Sequence, residues 1–103
     1  MTFLYYEDCP SHDEALARLR QIMAEEGIEA DVQVVKVETD EQAAELRFVG
    51  SPTIRVAGQD IDPPPADAQF ALTCRAYRRE DGRITPLPPA GLIRRALRAA
   101  AGR

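Results

Sequence analysis

Apolar positions follow two different periods along this chain. Thr2–Tyr6 reads Thr-Phe-Leu-Tyr-Tyr, nearly all apolar and rich in β-formers, which suits a buried central strand better than an alternating edge strand. Glu7-Asp8-Cys9-Pro10 breaks the run. From Ser11 to about Glu26 the spacing becomes helical: Leu16, Leu19, Ile22 and Met23 recur at intervals of three and four, with charges between them. Ser11 and Glu14 have the spacing of a capping box, Pro10 is tolerated in a first turn, and Gly27 is a natural stop. Val32–Val37 predicts a second buried strand, with Val32, Val34, Val35 and Val37 apolar. Thr39–Arg47 predicts a short helix with Thr39 and Gln42 as a further capping pair. Thr53–Val56 reads as a third strand and Ala57-Gly58 as a turn. Pro63, Pro64 and Pro65 exclude a regular element, so residues 62–69 are expected to form a covering loop or a partner surface. Leu72–Arg78 reads as a strand containing Cys74 and Tyr77. Asp81-Gly82 is a strong hairpin signal with Arg83–Thr85 as the return strand. Pro88 or Pro89 opens a last helix with one apolar stripe, Leu92, Ile93, Ala96, Leu97 and Ala100.

The element order is β-α-β-α-β-β-β-α. Consecutive βαβ units imply parallel strands with right-handed crossovers, and the later hairpin makes the sheet mixed. The expected fold class is α/β: a three-layer α/β/α sandwich around a mixed sheet of about four strands. With 103 residues, the chain suits one domain, residues 1–103. It is 45% hydrophobic with no Trp, so the core is expected to be mainly aliphatic.

Charge and targeting narrow the function classes. Residues 1–51 carry twelve acids against four bases, and residues 52–103 five acids against nine bases. That reads as a solvated surface with two differently charged ends. Arg94, Arg95, Arg98 and Arg103 form only a modest cluster, short of the basic patch that nucleic-acid binding requires. Met1–Tyr6 is too short and lacks the basic flank of a signal peptide, and no apolar run reaches membrane-spanning length. The expectation is a cytoplasmic protein with no membrane and no nucleic-acid partner. In that compartment two cysteines are thiols or redox groups rather than a structural disulfide.

Cys9 follows a strand and precedes a helix. Unpaired amides and the helix dipole favour an anion there, whereas Glu7, Asp8, Asp13 and Glu14 oppose one. His12 lies three residues on. Protonated, it would stabilise a thiolate; neutral, it would accept a proton or ligate a metal; or it is an exposed first-turn histidine with no role. Ser51-Pro52-Thr53 precedes the third strand, where Pro52 is either a cis proline in a tight turn or an ordinary strand-opening proline. Cys9, His12 and Cys74 are soft or borderline donors, but structural zinc sites usually take four protein ligands, so no metal site is expected.

A strand, then Cys-Pro-Ser-His opening a helix, then a βα unit, then Ser-Pro-Thr leading into a strand resembles the thioredoxin-like superfamily. The Cys-Pro start looks most like glutaredoxins. The resemblance covers about Thr2–Val56 and extends weakly through the hairpin and last helix. Gly50-Ser51-Pro52-Thr53 and Cys74-Arg75-Ala76-Tyr77 are also similar to stretches of small bacterial thioredoxin-like proteins. The resemblance implies that Pro52 is cis and sits beside Cys9, and that the backbone of Ser51 or Thr53 contacts a bound disulfide or peptide. His12 departs from the pattern: a dithiol glutaredoxin would have cysteine there, so Cys-x-x-Cys cycling is ruled out. The implied activity is thiol–disulfide oxidoreduction. Cys9 is the expected nucleophile, His12 tunes or shuttles its proton, and Pro52 shapes the groove. Resolution falls to Cys74, or to glutathione or another thiol as co-substrate. Cys74 is otherwise a buried structural thiol. The expected partners are proteins or low-molecular-weight thiols and disulfides, with no other cofactor. The alternatives are a binding module without turnover, or thiolate capture of a soft metal or organomercurial.

Overall fold

The computed structural model describes residues 1–102; Arg103, the last of the C-terminal arginines, lies outside the described residues. The apolar run at the N-terminus forms β1 (Thr2–Tyr5), the central strand of a four-stranded sheet. On one side it pairs in parallel with β2 (Gln33–Lys36), and on the other antiparallel with β3 (Thr53–Val56), which pairs with β4 (Gln59–Asp60). The sheet order is β2-β1-β3-β4.

Adjacent residues of β1 point to opposite faces. Phe3 packs with Leu19, Ile22, Ile54, Ile93 and Leu97, drawn mainly from β3, α1 (His12–Glu25) and α3 (Ala90–Ala100). Leu4 packs with Val37, Phe48 and Ala43 of α2 (Asp40–Leu46). Helical side chains therefore cover both faces of the mixed sheet. Burial of a large apolar side chain is worth about 1.5–3 kcal/mol, so these two clusters hold the fold together.

Four sequence expectations change. First, only β1–α1–β2 is a parallel unit. α2 has seven residues and spans about 10 Å. The chain enters β3 at the end where β1 finishes, with Thr53 opposite Leu4, and so runs antiparallel to it. Second, β2 is an edge strand, not a buried one: it has one neighbour, and Gln33 and Val34 are exposed. Third, the strand expected over Leu72–Arg78 shrinks to β5 (Tyr77–Arg78), paired with β6 (Ile84–Thr85) across the Asp81-Gly82 turn as a separate ribbon. The amides of Ala71 and Arg75 bond to the carbonyls of Phe48 and Ser51, in a loop, so no ladder develops. The place beside β3 goes to β4, reached by a tight Ala57-Gly58 turn with both residues at positive φ. Fourth, the Ser11–Glu14 capping box does not form. Ser11 adopts helical angles, φ −84° and ψ −4°, instead of the extended conformation from which a cap side chain bonds the first-turn amides.

The second capping pair does form. Thr39 is extended, and its hydroxyl accepts from the Gln42 amide at 3.1 Å, while Gln42 Oε1 accepts from the Glu38 amide at 2.9 Å. In α3, Ile93 and Leu97 are buried and Leu92 and Ala96 pack beside them, but Ala100 is exposed. The basic face of α3 is not simply solvated. Arg94 bonds Glu25 at 2.7 Å and Arg98 bonds Glu26 at 2.6 Å, so the acidic end of α1 meets the basic helix. No helix among the described residues is long and apolar enough to cross a membrane.

Candidate functional site: two thiols beside Ser51 and Pro52

Cys9 lies just after β1, in the turn that leads into α1, with its amide bonded to the Tyr6 carbonyl at 3.1 Å. The residue is 0% exposed, and its thiol donates to the Ser51 carbonyl at 3.5 Å. Ser51 is pinned from the other side by residues 73–75. Its amide donates to the Thr73 carbonyl at 2.7 Å, and its carbonyl accepts from the Arg75 amide at 2.8 Å. This parallel bridge sets Cys74 opposite Ser51. Cys9 and Cys74 are thereby both neighbours of Ser51. The Cys9 side chain beside it, partial burial and the negative charge a Cys9 thiolate would carry push the Cys74 thiol up to about 11. Both cysteines are free thiols; Cys9 is buried and Cys74 is exposed. The structure thus exposes Cys74, where the core-thiol reading would have buried it.

The Ser51–Pro52 peptide bond is cis. The Tyr77 hydroxyl donates to the Pro52 carbonyl at 2.6 Å, and Thr53 Oγ1 donates to the Gly50 carbonyl at 2.6 Å. Burial raises the Tyr77 hydroxyl well above its ordinary range, so it stays a protonated donor. The Ser51 hydroxyl is buried and has no hydrogen-bond partner among the described residues.

His12 opens α1. Its ring stacks on Tyr5 with centroids 4.6 Å apart, and Nδ1 lies 3.2 Å from an Asp13 carboxylate oxygen. The structure therefore brings Cys9, Cys74, Ser51 and Pro52 together, and the contacts of His12 are to Tyr5 and Asp13. Among the described residues no three His, Cys, Asp or Glu side chains are grouped to hold a metal ion.

Sequence reasoning missed the buried support beneath the site. Arg75 is 8% exposed; it bonds Asp60 at 2.7 Å, bonds the Asp62 carbonyl, and lies over the Tyr77 ring at 4.9 Å. Arg75 and Tyr77 alternate with Cys74 and Ala76, which places the support inward and Cys74 outward. That alternation was the available signal, in the Cys-Arg-x-Tyr stretch. Gly50, at φ +142°, lets the two segments touch: a Cβ there would lie 3.0 Å from the Arg75 Cα and N.

Compared with protein-family models, curated proteins and solved structures, the chain matches none.

Proposed function

We propose that the protein is a small thioredoxin-like thiol–disulfide oxidoreductase with Cys9 and Cys74 as its redox pair. The observation that carries the reading is the convergence of both cysteines on Ser51, whose carbonyl accepts from the Cys9 thiol and which pairs with Cys74, beside a cis Ser51–Pro52 bond. The sheet order, the helices on both faces and a cysteine leading into α1 fit the three-layer sandwich that the resemblance implies.

Two thiols in contact can give up two electrons and two protons and close into a Cys9–Cys74 disulfide. A substrate disulfide takes up the same electrons and protons and becomes two thiols. Ser51 and Pro52 border the pair and offer backbone to a bound disulfide. His12 is held between Tyr5 and Asp13. The reductant in this reading is glutathione or another cytoplasmic thiol, or a partner protein.

The test is turnover of a small disulfide with a thiol reductant by wild type, Cys9→Ser and Cys74→Ser. Loss of turnover in both variants supports the reading; unchanged turnover in Cys9→Ser overturns it. The placing of both thiols beside Ser51 also favours a second reading, capture of a soft ion or organomercurial by two sulfurs. Tight, stoichiometric uptake of a mercurial that Cys9→Ser loses, with no disulfide turnover in wild type, would select that reading instead.

A further inference from the structure

We infer that Cys74, not Cys9, is the sulfur that meets the substrate, so that exchange passes through Cys74 first and Cys9 second. This rests on the reading of the two cysteines as a redox pair, and it reverses the order expected from the position of Cys9 before a helix. Three features of the site carry it.

The first is access. Cys9 is 0% exposed, while Cys74 is an exposed residue on an irregular segment. Thiol–disulfide exchange needs the attacking sulfur to reach the attacked one, and it proceeds through a mixed disulfide. A mixed disulfide on Cys74 stands at the surface. One on Cys9 would have to fit a second sulfur and its substituent where the protein is closed.

The second is the leaving group. When an incoming thiolate bonds to Cys74 Sγ of the internal disulfide, the S–S bond breaks and its electron pair goes to Cys9 Sγ. Attack at the exposed sulfur thus makes the buried Cys9 the leaving group.

The third is the final proton. A second thiolate attacks the sulfur of the bound substituent, a low-molecular-weight disulfide departs, and Cys74 takes up a proton. The neighbouring Cys9 side chain, partial burial and the charge of that neighbour favour the protonated form. Two external thiols are thereby oxidised to one disulfide, and the protein disulfide is reduced to two thiols. The oxidation of the protein retraces these steps in reverse, with a small disulfide as the oxidant.

The experiment uses the whole chain. The oxidised protein is first checked for the loss of two hydrogens and for a linked Cys9–Cys74 peptide. It is then treated briefly with limiting glutathione, quenched in acid, alkylated and mapped. Glutathione on Cys74 with alkylated Cys9 is expected in roughly tenfold excess over the converse. A buried sulfur reacts only after local opening, and an opening cost of about 1.4 kcal/mol already gives that factor. The converse excess overturns the inference and leaves the redox pair standing; absence of the internal disulfide overturns both. A second measurement uses reduced variants and an aromatic disulfide that releases a coloured thiolate. Cys9→Ser is expected to react at Cys74 while folded, and Cys74→Ser only on unfolding. Equal rates for the two folded variants overturn the inference.

Discussion

Replacing Gly50 by alanine probes the close approach that puts Cys74 against Cys9. Two costs add. Gly50 sits at φ +142°, a conformation that L side chains rarely adopt, and backbone strain of this kind costs on the order of 1–3 kcal/mol. The new Cβ would also lie 3.0 Å from the Arg75 Cα and N and 3.2 Å from the Cys74 carbonyl carbon. These are backbone atoms, tied to Ser51 by bonds of 2.7 and 2.8 Å, so they yield only if the bridge yields. Overpacking a tight site typically costs about 1–3 kcal/mol. The sum, about 2–6 kcal/mol, corresponds to a fall in Tm of roughly 10–50 °C for a domain of this size. Relief of the clash pushes residues 73–75 away from Ser51, so the internal disulfide should also form more slowly. The assays are thermal unfolding by circular dichroism and the rate of disulfide closure under a fixed glutathione buffer. A variant with unchanged Tm and unchanged closure would refute the reasoning, because the segment would then not be held as described.

Three further predictions follow from separate features. Thr39→Ala should cost about 1 kcal/mol, because it removes a formed cap on α2, whereas Ser11→Ala should cost little, because its side chain makes no cap bond; denaturant midpoints of the two variants decide this. Arg75→Met should destabilise by about 3–5 kcal/mol, because it leaves the Asp60 carboxylate, 11% exposed, without its buried partner; urea unfolding measures it, and the double variant with Asp60→Asn should recover part of the loss. The Cys74 thiol is raised from 9.0 to about 11, so its contribution to stability is present below pH 9 and is lost as pH rises towards 11; thiolate absorbance should show the titration moving down in Cys9→Ser, and no movement would contradict the influence of Cys9 on Cys74.

Local signals were legible in the sequence, and long-range ones were not. β1, β3, the Thr39 cap and the Asp81-Gly82 hairpin are set by neighbouring residues, and each stands where the sequence placed it. The direction of β3, the edge position of β2 and the short β4 depend on which strands meet, which apolar patterning leaves open. At the site, Cys9 and Ser51-Pro52-Thr53 were legible as a turn, a helix start and a strand start. The support was not: Arg75 reaches Asp60 across 15 residues and Tyr77 reaches Pro52 across 25. The alternation along Cys74–Tyr77, with Arg75 and Tyr77 buried and Cys74 and Ala76 exposed, was the local signal left unused. His12, three residues from Cys9 in sequence, is drawn to Tyr5 and Asp13 instead.

The most direct test of the central claim is the intact mass of the protein after mild oxidation, with peptide mapping of any crosslink. The account predicts the loss of two hydrogens and a single Cys9–Cys74 peptide formed within one chain. Two free thiols, or an adduct on one cysteine with no internal crosslink, would contradict it.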